Sequence, residues 1–327
     1  MDFLIISGIS KQLENIFTLK DVTFTQQRLQ KIAIAGETGS GKSTLLKIMA
    51  GLVQPDAGKV LFENEKVLGP EEKLIPGHPH IAYLSQHFEL RNNYSVEEIL
   101  MMANKMDDTE AEAIFEVCRI NHLLKRRTDQ LSGGERQRIA TAKLLIASPR
   151  LLLLDEPYSN LDMVHKNILK AVINDIGEKL RITCIITSHD PIDTLSWADE
   201  ILVMKDGQII QQGTPKQIYR QPLHEYTAGL FGNYNLINDA HLKALPGLSE
   251  IKMNGKALFI RPENFEIAAK DSQSIAGKVS KVNFFGSYYE IEVLLAENVI
   301  TVKTTESNIA KGDTIYLSVS TDDVWYL

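Results

Sequence analysis

The sequence predicts an α/β fold built on a parallel sheet, followed by a smaller all-β domain. Apolar runs such as Ile32–Ala35 and Leu151–Leu154 have the composition of strands buried on both faces. A glycine-rich loop, residues 36–44, joins one of these runs to a helical pattern, and short strands recur after residue 258. Because 327 residues exceed the size of one ordinary domain, two domains are expected.

Composition and charge are those of a soluble globular protein, with 44% hydrophobic residues, 24% charged residues and a net charge of −7. The acidic excess disfavours a general nucleic-acid binder. Cys118 and Cys184 lie far apart without metal-ligand spacing, which predicts buried thiols in a reducing compartment. The first residues lack a basic leader and no apolar run could span a bilayer, so any membrane role is expected to come through a partner.

Residues 36–44 match the pattern G-x-x-x-x-G-K-[ST] of a phosphate-binding loop, between a predicted strand and a predicted helix. Glycines let backbone N–H groups turn towards a polyphosphate, and the helix N-terminus adds free donors. Lys42 is expected to reach the β- and γ-phosphates, and the Ser43 hydroxyl to ligate Mg²⁺. An ordinary glycine-rich turn is the alternative. The nucleotide-binding residues predicted here are Gly36, Glu37, Thr38, Gly39, Ser40, Gly41, Lys42, Ser43 and Thr44.

Polar residues follow three further predicted strands. Asp155 and Glu156 end one of them, where two carboxylates are unfavourable without a cation or a proton to share. We therefore expect Asp155 to hold Mg²⁺, which leaves Glu156 to orient or deprotonate an attacking water. Gln86 and His189 end the other two strands and are candidates for the phosphate site, although loop polarity and a structural histidine are the simpler interpretations.

A helical block at about residues 87–147 interrupts the strand pattern and predicts an inserted helical subdomain. Capping-box spacing predicts helix starts at Ser95 and Thr109. A third capping box, Ser132 with Glu135, begins a helix whose first amides are left uncovered by two glycines. This start is either an ordinary capped helix or a second anion site.

These motifs resemble, in order and over about residues 3–235, the nucleotide-binding subunit of ATP-binding cassette (ABC) transporters. The phosphate loop resembles the Walker A motif, residues 131–137 the family signature, and residues 151–156 the Walker B strand. The LSGGE run is the most specific of these because few other phosphate-loop families carry it. The fold implied is a P-loop NTPase (RecA-like) core with an inserted helical subdomain, followed by a small OB-like barrel.

The resemblance also assigns roles to single residues. Gln86 resembles the Q-loop glutamine and is implied to ligate Mg²⁺ with Ser43 and Asp155, while Asp162 ends a D-loop. His189 resembles the switch histidine, so that Glu156, His189, Gln86 and Lys42 form the implied catalytic set.

Adenine recognition departs from the family pattern. The family usually stacks the base on an aromatic residue a few places before the second strand, and Leu13 holds that place here. Phe17 is the expected substitute, with packing on an aliphatic surface as the alternative.

ATP and Mg²⁺ are the implied cofactors, and two copies are implied to form a head-to-tail dimer. Each ATP would lie between the phosphate loop of one copy and Ser132, Gly133, Gly134 and Glu135 of the other. ATP closes such a dimer, hydrolysis opens it, and the motion drives membrane permease subunits. An extracytoplasmic binding protein would act indirectly, and the subunit would be peripheral on the cytoplasmic face of the cell membrane.

The remaining residues predict the second domain, with the ATPase domain at 1–235 and an OB-like domain at 236–327. The latter resembles the barrel (TOBE) domain of import ATPases for sugars, polyamines, ferric iron and oxyanions. Its strands are predicted at 258–261, 275–282, 288–295, 299–304 and 314–319, with a hairpin loop at 296–298.

Three alternatives remain open at this stage. The barrel could bind nucleic acid through Phe284, Phe285, Tyr288 and Tyr289, but it lacks a basic groove, so these aromatics are expected in the core or at an interface. It could also be a regulatory binding module. Finally, the chain could be a soluble cassette ATPase outside transport, although such proteins usually carry two cassettes or long insertions.

Overall fold

The computed structural model describes residues 2–13, 16–86, 90–238, 255–271, 274–295 and 298–327, and divides into two compact units, Met1–Pro215 and Lys216–Leu327. The first unit contains ten strands and six helices in its described residues. They are β1 (Leu4–Leu13), β2 (Ile16–Gln26), β3 (Ile32–Ala35), α1 (Lys42–Met49), β4 (Ala57–Phe62), β5 (Glu65–Lys66), β6 (Ile81–Leu84), α2 (Val96–Ala103), α3 (Asp108–Val117), α4 (Gly133–Leu145), β7 (Leu151–Leu154), α5 (Met163–Lys179), β8 (Thr183–Ser188), α6 (Pro191–Leu195), β9 (Glu200–Lys205) and β10 (Gln208–Gly213).

The main sheet of the first unit has six strands in the order β10-β9-β3-β8-β7-β6. Strands β9, β3, β8, β7 and β6 run parallel, and β10 pairs antiparallel with β9. A second, antiparallel sheet has the order β2-β1-β4-β5. Because the carboxyl ends of β3, β8, β7 and β6 meet at one edge of the sheet, the loops that follow these four strands share that edge.

Burial explains the apolar runs of the sequence. All four residues of β3 and all four of β7 are buried, as the near-continuous apolar pattern predicts for central parallel strands. Helix α1 ends at Met49 and is followed by Gly51 with φ of 72°, a left-handed position that glycine adopts at little cost. The α/β prediction is confirmed.

The helices of the inserted segment begin at the residues predicted to cap them, with one exception. Ser95 caps α2 and Ser132 caps α4, each with the complete capping box that the sequence predicted. The predicted start at Thr109 is wrong, because Asp107 caps α3 and its carboxylate accepts a hydrogen bond from the Glu110 amide. Asp107 is the residue immediately before the helix, so its carboxylate can accept from an amide of the first turn. Thr109 already lies inside the helix.

The second unit is built mainly of strands. Its elements are α7 (Pro215–Arg220), α8 (Glu225–Leu230), β11 (Asn235–Ile237), β12 (Leu258–Ile260), β13 (Phe265–Ala268), β14 (Ile275–Phe284), β15 (Tyr289–Leu295), β16 (Asn298–Thr304), β17 (Thr314–Val319) and β18 (Trp325–Tyr326). A five-stranded antiparallel sheet has the order β13-β17-β14-β15-β16, and a three-stranded sheet the order β11-β12-β18. The five predicted strands are present, whereas β11, β13 and β18 were not predicted. Residues 296 and 297 of the predicted hairpin loop lie outside the described residues.

Two details of the second unit refine the sequence interpretation. Arg261 is 1% exposed and donates to the backbone oxygens of Tyr219, Ala228, Gly232 and Asn233, which ties α7, α8 and the segment after them to the β domain. Phe284 and Phe285 do not lie in the core, since their exposed fractions are 66% and 52%, so the core part of that prediction is wrong for these two residues and their place at an interface stays a prediction. Phe284 forms the last pair of β14 with β15, opposite Tyr289, and Phe285 follows it, so both stand at the end of the strand.

Cys118 and Cys184 are both buried free thiols, as predicted, and burial raises the pKa of each to about 12. None of the helices in the described part of the chain combines the length and apolar character needed to cross a membrane.

Candidate functional site

The phosphate loop wraps around the amino group of Lys42, the first residue of α1. Lys42 Nζ donates to the backbone oxygens of Gly36 at 2.7 Å and Glu37 at 2.8 Å. Gly41 before it has φ of 102°, which only glycine adopts readily, and a Cβ there would lie 2.6 Å from the Thr18 oxygen. Burial lowers the pKa of Lys42, while the nearby carboxylates of Glu156 and Asp155 oppose that shift. The loop therefore presents a buried cation at the start of a helix, where an anion binds well.

Asp155, at the carboxyl end of β7, is 4% exposed and accepts three hydroxyl hydrogen bonds. Ser43 Oγ donates to Oδ1 at 3.0 Å, Thr187 Oγ1 donates to Oδ1 at 2.8 Å, and Tyr83 OH donates to Oδ2 at 2.9 Å. Burial, together with the negative charge of Asp155, raises the pKa of Tyr83 well above its usual value, so Tyr83 remains a donor. The expectation that a cation or a shared proton would balance this carboxylate was incomplete, because hydroxyl donors already stabilise its charge.

Ser43 and Asp155 fit a magnesium ion. Mg²⁺ takes oxygen ligands at about 2.1 Å, and neighbouring ligands of one octahedron then lie about 3 Å apart, close to the measured separation of Ser43 Oγ and Asp155 Oδ1. Within the described ranges, no group of three or more His, Cys, Asp or Glu side chains is arranged to hold a metal. This agrees with an ion that uses one carboxylate, a hydroxyl and the oxygens of a bound phosphate.

Glu156 is held by three side chains from other loops. Lys42 Nζ lies 3.9 Å from its Oε1, His189 Nδ1 lies 2.9 Å from its Oε2, and Gln86 Nε2 donates to Oε2 at 3.3 Å. Its backbone φ is 47°, a left-handed conformation that is uncommon for a residue other than glycine. Strained backbone of this kind concentrates at functional sites.

All four catalytic residues predicted from the sequence thus meet at one edge of the sheet. Gln86, however, contacts Glu156 and Ser159 rather than the Ser43–Asp155 pair, so two of the three predicted magnesium ligands lie together. Of the adenine-site candidates, Leu13 is the last residue of β1 and Phe17 is the second residue of β2, and their side chains lie outside the described part of the structure.

The signature residues form a second group, at the start of α4. Ser132 Oγ accepts from the Glu135 amide at 3.2 Å and Glu135 Oε2 accepts from the Ser132 amide at 2.8 Å. Burial acts to raise the pKa of Glu135, but its bonds to Ser132 and the nearby Arg126 outweigh this and lower it. A Cβ at Gly133 would meet no atom within 4 Å, so this helix start is open to another molecule.

The D-loop residue Asp162 supports this second group. It caps α5, accepting from the His165 amide at 2.9 Å, and its Oδ2 lies 2.6 Å from His165 Nδ1. These hydrogen bonds hold the pKa of Asp162 below its usual value, and the bond from the His165 amide contributes most. Gln137 of α4 donates to the Pro157 oxygen at 2.5 Å, which attaches the signature helix to the loop after β7.

Three side chains of the site were missed by sequence reasoning: Tyr83, Thr187 and His165. Tyr83 and Thr187 lie within predicted strands, and only the strand order places both hydroxyls on Asp155. His165 could have been found, because it follows the predicted cap Asp162 by three residues, the spacing of a capping box.

The fold and this site define an ATPase of the phosphate-loop class. The profile of the ABC transporter family matches residues 19–159, and that of the TOBE domain matches residues 258–327. The sulfate/thiosulfate import ATP-binding protein CysA of Synechocystis sp. is 31% identical over 307 residues, which are 90% of this chain and 85% of that protein.

A second relative is the spermidine/putrescine import ATP-binding protein PotA of Spiroplasma citri, 30% identical over 344 residues, 99% of this chain and 97% of that protein. Among solved structures, cbiO1 of Clostridium perfringens, part of the ABC transporter complex cbiONQ, covers 66% of this chain and 90% of its own, with 28% identity and a TM-score of 0.58. The chain belongs to the ATP-binding subunits of ABC transporters, of the import type with a C-terminal TOBE domain. It is an ATPase coupled to transport, which confirms the fold and the activity predicted from the sequence.

Proposed function

We propose that two copies of this chain form a head-to-tail dimer that binds two ATP molecules, each between the phosphate loop of one copy and the signature residues of the other. One observation supports this most strongly. The open helix start at Ser132 and Gly133 is capped by its own Glu135, whereas the buried Lys42 and Asp155 and the partly buried Glu156 gather around the loop. An open anion site without a carboxylate for hydrolysis is the half that a second copy completes.

Within this dimer, each residue has a distinct role. Lys42 and the loop amides bind the β- and γ-phosphates, while Ser43 and Asp155 hold Mg²⁺, which polarises the phosphate oxygens when bound. Glu156 accepts a proton from the attacking water, and His189 and Gln86 hold the Glu156 carboxylate in place. The left-handed backbone at Glu156 points its side chain into this group.

The dimer couples to membrane permease subunits on the cytoplasmic face of the membrane, and through them to an extracytoplasmic binding protein. The relatives import sulfate or thiosulfate in one case and spermidine or putrescine in the other by their names, so the cargo is a small charged solute. Co-purification with permease subunits tests this assembly, since a cassette ATPase outside transport would purify without them.

The functional ATPase domain is proposed to end at residue 235, and limited proteolysis tests that boundary against the compact unit that begins at Lys216.

Glu156→Gln should leave ATP binding intact, because Lys42 and Asp155 remain, and should trap the closed dimer. We expect hydrolysis to fall by about 10²–10⁴-fold, the usual loss for a general base. Phosphate release and sedimentation velocity with ATP measure the two effects. The exposed Glu178→Gln is the matched control, and hydrolysis at the parent rate in Glu156→Gln would show that another group activates the water.

Ser132→Arg should abolish hydrolysis without weakening ATP binding to the single chain. The arginine fills the open helix start, so it excludes the γ-phosphate of the ATP that the second copy binds. Equilibrium binding of a fluorescent ATP analogue to dilute protein separates the two effects. Ser287→Arg, an exposed change in the second unit, controls for the added charge. Loss of binding to the single chain would place Ser132 in the site of its own phosphate loop.

A further inference from the structure

A chain of three side chains joins the D-loop to the signature. Asp162 Oδ2 lies 2.6 Å from His165 Nδ1, and His165 Nε2 lies 3.5 Å from Ser132 Oγ. The cap Asp162 is 63% exposed, and the His165 side chain between it and Ser132 is 31% exposed. The three residues therefore connect two segments that the proposed dimer places at its ATP.

The chemistry of the partners fixes which atoms donate. Ionised Asp162 can only accept, so His165 Nδ1 carries a proton and donates to it. In the neutral ring, Nε2 then carries a lone pair and accepts. Ser132 Oγ already accepts from the Glu135 amide, and its single O–H is left to donate to His165 Nε2.

His165 also packs on the signature backbone. A Cβ at Gly134 would lie 2.7 Å from His165 Cδ2 and 3.0 Å from its Cβ, so the ring covers that face of the helix start. One imidazole thus restrains both the position of the α4 terminus, through packing, and the Ser132 side chain, through a hydrogen bond.

We propose that His165 is a positioning residue that holds the Ser132 oxygen ready for the γ-phosphate of an ATP bound by a second copy of this chain. This inference rests on the head-to-tail dimer of the proposed function. With the oxygen already in place, only the hydroxyl proton has to turn from His165 to the phosphate when the dimer closes. A side chain that is ordered before binding does not lose its rotamer freedom on binding, which strengthens association.

The test uses the full chain carrying Glu156→Gln, in which ATP-bound dimers accumulate. His165→Leu keeps an apolar group over Gly134 and removes both hydrogen bonds, whereas His165→Gln keeps an acceptor for Ser132. Asn167→Ala, an exposed change on the same helix, is the control. Sedimentation equilibrium at several protein concentrations gives the dimer dissociation constant with ATP. A fluorescent ATP analogue gives the affinity of the single chain.

We expect His165→Leu to weaken each ATP site about tenfold, and a dimer with two such sites about a hundredfold, while the ATP affinity of the single chain stays at the parent value. His165→Gln should recover most of the loss. Dimers of His165→Leu within about threefold of the parent would overturn the inference. So would equal losses in the Leu and Gln variants, because they would show that the ring acts by shape alone. If Glu156→Gln itself forms no dimer with ATP, the proposed function fails and this inference fails with it.

Discussion

The two anion sites of this chain differ in how completely their groups are enclosed. At the phosphate loop, Lys42 and Asp155 are each 4% exposed, and side chains from four loops contact one another. At the start of α4, Ser132 and Gly133 are exposed, and Ser132 contacts His165 of α5 and its capping Glu135. The first site carries the charges that are proposed to bind ATP and activate water, and the second carries helix-start donors without such charges.

This difference explains why hydrolysis should require two copies. A buried lysine and a helix N-terminus bind a polyphosphate in a single chain. The open site adds donors only after another surface covers it, because hydrogen bonds to phosphate strengthen when water is excluded. The affinity of a single chain for ATP should therefore depend on the phosphate loop. The cooperativity between two copies should depend on the signature residues.

Replacement of the buried cation should have the largest effect on ATP affinity. Lys42→Ala removes the donor that lies among the loop oxygens, and we expect ATP to bind the single chain about a hundredfold more weakly or worse. Isothermal titration calorimetry measures this, with Lys47→Ala, an exposed change on the same helix, as the control. A loss below about tenfold would mean that the loop amides and the helix start, rather than the Lys42 charge, supply most of the affinity of the single chain for ATP.

Removal of one hydroxyl at the magnesium site should have an intermediate effect. Tyr83→Phe leaves Asp155 with the Ser43 and Thr187 donors, so its carboxylate is less well oriented. A hydrogen bond to a charged group contributes about 1.5–3 kcal/mol, so the Mg²⁺ concentration for half-maximal hydrolysis should rise about tenfold or more. Magnesium titrations of ATPase activity, with Tyr316→Phe in the second unit as control, check this. An unchanged requirement would show that Asp155 is positioned by Ser43 and Thr187 alone.

The smallest expected effect is on how the stability that Asp162 gives to the start of α5 changes with pH. The folded state lowers the pKa of Asp162, so its stabilising contribution is present above the unfolded pKa of about 3.9 and is lost as pH falls through the lower, folded value. The difference in unfolding free energy between the parent and Asp162→Ala should be largest near neutral pH and should shrink in acid, where only the uncharged part of the cap remains. Urea unfolding from about pH 7 to pH 3 measures it.

Asp162→Asn separates charge from capping in the same series, because asparagine caps helices as well as aspartate does. Its stability should lie between those of the parent and Asp162→Ala at neutral pH. A difference between parent and alanine variant that does not change with pH would mean that the carboxylate charge contributes nothing to this helix start.

Local patterns of the sequence were sufficient for much of the fold. The apolar runs of β3 and β7, the helix at 163–179 and the capping boxes at Ser95 and Ser132 depend on neighbouring residues alone. Interactions between distant residues were beyond such patterns. The exposure of Phe284 and Phe285 depended on where the β-domain core ends, whereas the cap at Asp107 was a local choice between two residues that are two positions apart.

The sequence by itself determined the phosphate loop, the strand-end carboxylates and the signature, because each is a short run whose chemistry follows from residue type and spacing. Only the tertiary structure decided that Tyr83 and Thr187 donate to Asp155, and that His165 lies between Asp162 and Ser132. Those contacts depend on strand order and helix packing, which bring together residues that are up to 104 positions apart in the case of Tyr83 and Thr187. The same packing leaves the signature open, and a second copy is the partner proposed to cover it.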